Sequence, residues 1–226
     1  MKTANLEKTK KLVSLALFCA VSFIGMFFRF NVSFLSFDLK DAFLTIGAMF
    51  FGPLAGIFMS ACVAFLEFIT ISDTGVYGLI MNFLSSAVFA SVAPLIYKYR
   101  RKMSGAVLGL MASVVATVSV MLLANLLITP YYMGVGIDTV KTLIPTLLLP
   151  FNLTKTVLNS ALVLLLYKPV TTALRKTKLL VSKKTDEASN KPSVMKTVVS
   201  VIVSVIIIAL CLAVFFIVLK GSFSLT

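Results

Sequence analysis

Histidine is absent from this 226-residue chain, and only 8 residues are acidic. Without imidazole there is no Ser-His or Cys-His nucleophile pair and no His-ligated metal. Charged residues of both signs make up 13% of the chain, about half the roughly 25% of soluble domains. The three cysteines, Cys19, Cys62 and Cys211, all fall inside apolar runs. They read as packing residues and imply no disulfide framework. There is no P-loop, so ATP-driven work would need a partner that supplies the nucleotide site. There is also no chain of intramembrane carboxylates for proton coupling and no inverted pair of interrupted helices. The basic N-terminus leads into an apolar run too long for a signal-peptide core, with no A-x-A cleavage pattern, and is expected to stay as a first helix.

What is there is apolar. Hydrophobic residues make up 59% of the chain and the mean hydropathy is +1.05. No soluble domain of this length could hide so much apolar surface. Long unbroken apolar runs exclude a β-barrel, which leaves an all-α, multi-pass membrane protein. The formal charge of +13 would suit nucleic acid, but its distribution does not. Sixteen of the 21 Lys and Arg lie in three clusters, Lys2 to Lys11, Lys98 to Lys102 and Lys168 to Lys196, each flanking hydrophobic segments. They read as topology signals.

The apolar runs give spans at about Lys11 to Phe28, Ala42 to Phe51, Leu54 to Ile71, Leu79 to Tyr97, Ala106 to Thr129 and Pro145 to Leu166. Arg29 to Lys40 reads as an extended or partly helical loop at the membrane surface. The second span, ending at Gly52-Pro53, is too short to cross about 30 Å of hydrocarbon. It must borrow length from the loop before it, or sit in a thinned or protein-lined region. Residues 1–175 form the six-span domain, 176–196 a basic linker, and 197–219 a further apolar segment that reads as a peripheral, lipid-facing anchor. An even number of crossings separates the basic clusters, so all three can share the cytoplasm with the N-terminus.

The chain is organised around Pro145 to Asn159, P-T-L-L-L-P-F-N-L-T-K-T-V-L-N. On a helix, Asn152, Lys155 and Asn159 share one face. A Lys at the centre of a span costs about 2.5–3.5 kcal/mol on insertion scales. Either it snorkels to the headgroups, or the three residues turn toward an enclosed cavity. Asn82, Asn125 and Glu67 fall at the same end of their spans, as does the aromatic loop with Phe34 and Phe37. Asp38, Lys40 and Asp41 close that loop, as a solvated, self-neutralising group or as part of the site. Glu67 is either interfacial or turned into the cavity. This convergence points to an outward-facing cavity. Amides, an ammonium and aromatic walls suit a flat heteroaromatic ligand.

Four stretches carry a resemblance: A-L-F-C-A (Ala16, Ala20), F-L-S-F-D-L-K-D-A (Phe34 to Ala42), G-P-L-A-G (Gly52 to Gly56) and P-F-N-L-T-K (Pro150 to Lys155). Over residues 1 to about 175 the chain resembles the substrate-binding (S) components of energy-coupling factor transporters, and most closely the riboflavin-specific group. The resemblance implies a six-helix transmembrane bundle in a bacterial cell membrane, with no enzymatic activity and no cofactor, that captures the vitamin from outside. It implies that Ala16 and Ala20 dock on a transmembrane coupling protein carrying two cytoplasmic ATPases, and that the subunit topples during transport. Asn125, Asn152 and Lys155 match the positions that grip the isoalloxazine ring, and residues 34–41 match a lid. The seventh segment departs from the pattern, and is expected to be loosely attached. The alternatives are an S component for another vitamin or base-like precursor, close packing within the bundle as the only role of Ala16 and Ala20, a non-catalytic assembly subunit, and a membrane enzyme. The missing His and lone Glu67 speak against the last.

Overall fold

The computed structural model describes residues 2–176 and 194–225. Most of the expected linker lies outside the described residues. Helix α1 spans Lys2–Gly25, followed by strands β1 (Phe28–Val32) and β2 (Leu35–Phe37). Then come α2 (Lys40–Phe51), α3 (Pro53–Thr70), α4 (Gly75–Tyr99), α5 (Met103–Met133), α6 (Ile137–Leu143), α7 (Leu149–Lys176), α8 (Val194–Ala213) and strand β3 (Ser222–Leu225). Among the described residues, five helical stretches are long and apolar enough to cross a membrane by themselves.

Helix α2 explains how a 12-residue element fits among spans. At 1.5 Å per residue it rises only about 18 Å. Nine of its residues, from Lys40 to Met49, are buried, because α1, α3, α4 and α7 pack around it. It needs no lipid contact, so the protein-lined alternative holds. Gly52 at φ 100° makes the break that Pro53 then follows into α3, at the helix start where a missing N–H is harmless. Gly56 sits where an added Cβ would fall 2.1 Å from the Ala90 carbonyl oxygen, so α3 and α4 meet backbone to backbone.

Three departures from the sequence reading have local causes. Helix α1 begins at Lys2, well before Lys11, since nothing in residues 2–10 breaks a helix. The helical path into the sixth span starts before Pro145, already at Ile137. Helix α6 runs into a π-turn at Ile144–Leu148 that carries Pro145 and leads into α7. A π-turn absorbs the hydrogen bond that Pro cannot donate. The Arg29–Lys40 loop is a β-hairpin, with Phe30 opposite Phe37 and Val32 opposite Leu35. Its period-two pattern, Phe28, Phe30, Val32 then Leu35, Phe37, carried that signal.

The seventh segment is the largest correction. It is neither loosely attached nor a lipid anchor alone. Helix α8 packs on α7 and continues through a π-turn at Val214–Val218. The chain then adds β3 to the hairpin, giving an antiparallel sheet in the order β2-β1-β3. A second small core forms there from Val32, Phe37, Phe151, Leu158, Cys211, Phe215 and Leu219. The main core lies deeper, among α1 to α5 and α7.

Candidate ligand-binding site

The ends of α4, α5 and α7 nearest the hairpin enclose a cleft of about 90 Å³. Asn82, Asn125, Asn152 and Lys155 supply its polar groups; Phe34, Tyr77, Tyr132, Phe151, Met81 and Met121 supply apolar wall. The hairpin roofs it with Phe34, Leu35 and Ser36. That volume is below the roughly 300–1,000 Å³ of pockets for drug-sized ligands.

Each polar lining group is fixed and only partly satisfied. Asn152 donates from Nδ2 to the Leu148 carbonyl at 2.8 Å, one turn back along α7. Its Oδ1 has no hydrogen bond among the described residues and is open to a donor. Asn125 donates to the Met121 carbonyl at 2.7 Å and accepts from the Thr129 hydroxyl at 2.9 Å, so one N–H remains. Lys155 meets Asp41 at 3.5 Å, a loose pair whose ammonium keeps donors to spare. The side chain is buried and directed into protein, which removes the snorkelling alternative.

Six further candidates lie beside the cleft, not on it: Asp38, Lys40, Asp41, Glu67, Asn159 and Phe37. Neither a solvated group nor an interfacial carboxylate, the five polar ones form a buried layer. Lys40 Nζ is 2.7 Å from Asp38 Oδ2 and 2.7 Å from Glu67 Oε2. Glu67 Oε1 also accepts from Asn82 at 2.9 Å and from Arg29 at 3.4 Å. Asp41 accepts from the Ser86 hydroxyl and faces Lys155. Three cations thus meet three carboxylates, and the layer carries no net charge. Burial pushes the Asp38 carboxyl up, but attraction to Lys40 and then Lys155, with hydrogen bonds from Lys40, holds it below the ordinary carboxylate range.

Asn159 shares the face of Asn152 and Lys155 but does different work. Its Oδ1 accepts the Ala42 N–H at 3.0 Å, and its Nδ2 donates to the Asp38 carbonyl at 3.3 Å. It therefore caps the start of α2 from another helix, a task the flanking Leu39 cannot perform. Phe37 is buried against Phe151 and Phe215 and forms the floor of the small core. Sequence reasoning missed Arg29, Ser86, Tyr77 and Tyr132. Arg29 and the Tyr77/Tyr132 pair carried a signal as polar or aromatic residues at the same end of the bundle; Ser86 carried none.

Far from the cleft, Ala16 and Ala20 lie exposed on α1. They line an apolar groove of about 470 Å³ with Leu12, Cys19, Phe58, Cys62 and Leu66. They do not pack inside the bundle.

A helical membrane bundle with a half-satisfied polar cleft at one end can receive a ligand there. The family model for the substrate-specific component of ECF transporters matches residues 10–167, and the chain belongs to that family. It is 27% identical over 182 residues to the riboflavin transporter RibU of Staphylococcus aureus (strain TCH60), covering 76% of this chain and 96% of the relative. It is 28% identical over 161 residues to the riboflavin transporter FmnP of Bacillus subtilis (strain 168), covering 66% and 85%. A solved S component of a bacterial ECF transporter superposes with a TM-score of 0.64 at 26% identity, covering 74% of this chain and 99% of that one.

Proposed function

We propose that the chain is the riboflavin-binding subunit of an ATP-driven vitamin uptake system in a bacterial cell membrane. The observation that carries this is the cleft itself, where Asn125, Asn152 and Lys155 converge between aromatic walls. Those groups suit the polar edge of an isoalloxazine ring, and the aromatic side chains suit its faces. The named riboflavin transporters among its relatives support the same ligand. The neutral charged layer beside the cleft favours an uncharged ring over a polyanion. With the N-terminus and the three basic clusters in the cytoplasm, the cleft opens outward, and its small volume means that the hairpin roof must lift to admit a three-ring ligand.

The groove along Ala16 and Ala20 is the docking face for a transmembrane coupling protein carrying two ATPases. Small residues there let a partner helix approach closely. The chain itself performs no chemistry; the partner supplies the energy. The test is direct. The purified protein should carry or acquire a yellow, flavin-fluorescent ligand, with competition by other vitamins setting its specificity. No flavin binding at micromolar concentration would reject the proposal.

A further inference from the structure

The C-terminal segment lies outside the matched family region of residues 10–167, yet it is built into the roof of the cleft. Strand β3 pairs along β1 from Phe28 opposite Leu225 to Asn31 opposite Ser222. The Asn31 Nδ2 donates to Ser224 Oγ at 2.8 Å across that pair. Below the sheet, Phe215 at the end of α8 is fully buried. Its ring lies edge-on to both Phe30 and Phe37, with centroids 5.4 Å away in each case. Gly221 lies on the same ring: a Cβ there would come within 2.2 Å of it. The turn end of this hairpin, Phe34 to Ser36, lies over the cleft.

We propose that α8 and β3 act as a clasp that holds the hairpin down, and that Phe215 is its positioning residue. Phe215 is not among the residues that line the cleft; it acts through Phe30 and Phe37. A hairpin paired on one edge only would be marginal by itself. A third strand and a shared aromatic core fix where it sits. The clasp therefore sets how fast ligand enters and leaves, more than how tightly it binds. This rests on the riboflavin reading for its ligand, but not for its geometry.

Three measurements on the full chain test it. In stopped-flow fluorescence, Phe215→Ala should speed both riboflavin entry and release by about tenfold or more, with the Kd moving less than either rate. Phe215→Leu should restore most of the wild-type rates. In a background lacking the native cysteines, a disulfide between Asn31→Cys and Ser222→Cys should slow both rates, and reduction should reverse this. Without flavin, Ile128→Cys in the cleft should react faster with a membrane-impermeant maleimide when Phe215 is Ala. Entry and release within twofold of wild type in both the Phe215→Ala and the tethered proteins would overturn the clasp. If Phe215→Ala does not fold, the tether decides. If the wild type binds no flavin, the riboflavin reading fails and maleimide labelling still decides the clasp.

Discussion

Replacing Lys40 with Met removes one ammonium from a layer where three cations face three carboxylates. Lys40 is 1% exposed and holds Asp38 and Glu67 at 2.7 Å each. Breaking a buried pair by deleting one partner costs about 3–5 kcal/mol, because a charge is left without compensation. The low end applies here. Glu67 keeps Arg29 and Asn82, and Asp38 keeps the Lys40 backbone N–H at 3.0 Å. A loss of about 3 kcal/mol lowers the melting temperature of a chain this size by about 6–12 °C. Adding Asp38→Asn restores the balance, since Arg29 and Lys155 then face Glu67 and Asp41. Thermal melting of the detergent-solubilised protein should show the single variant well below wild type and the double variant recovering at least half the difference. A Lys40→Met protein melting within about 2 °C of wild type, or a double variant no better than the single, would show that charge compensation does not hold this layer.

Asn152→Ala and Lys155→Ala should each weaken riboflavin binding by about 1–3 kcal/mol, as a buried polar ligand group loses its partner; fluorescence titration at wild-type affinity in both would remove this face from the site. Ala16→Leu or Ala20→Leu should leave binding intact and abolish ATP-driven uptake in vesicles, if Leu fills the groove proposed to receive a partner helix; unchanged uptake would place docking elsewhere. Asp38 has a folded-state pKa below its ordinary value of 3.8. Its stabilisation is therefore fully present above that value and is lost as pH falls through the lower, folded one. Melting temperature should hold steady from about pH 7 to 5 and drop below about pH 4, with a smaller drop in Asp38→Asn.

The spans were legible because lipid demands long apolar runs, and Asn125, Asn152, Lys155, Asn82 and Phe34 were legible because a polar group in such a run needs a reason. The short α2 was visible as a length that could not reach across. What the pattern of single residues could not show was pairing across the chain. Asn159 shares a helical face with Lys155, and only the fold reveals that the backbone of α2 occupies its amide. Glu67 and Lys40 stand 27 positions apart and meet only when α3 folds beside α2. The C-terminal segment misled for a different reason. A run of Val, Ile, Leu and Phe reads the same whether its aromatic end meets lipid or Phe30 and Phe37. The alternation in Ser222–Leu225 is too short to announce a strand.

Because α2 is walled in by its neighbours, bilayer thickness does not reach it. Perimeter helices such as α3, α5 and α8 must match their apolar length to the acyl chains around them, and they tilt or strain when those chains lengthen or shorten. The innermost helix is spared that adjustment. A cell that remodels its lipids with temperature can thus press on the rim of the bundle while the charged layer anchored to α2 keeps its spacing.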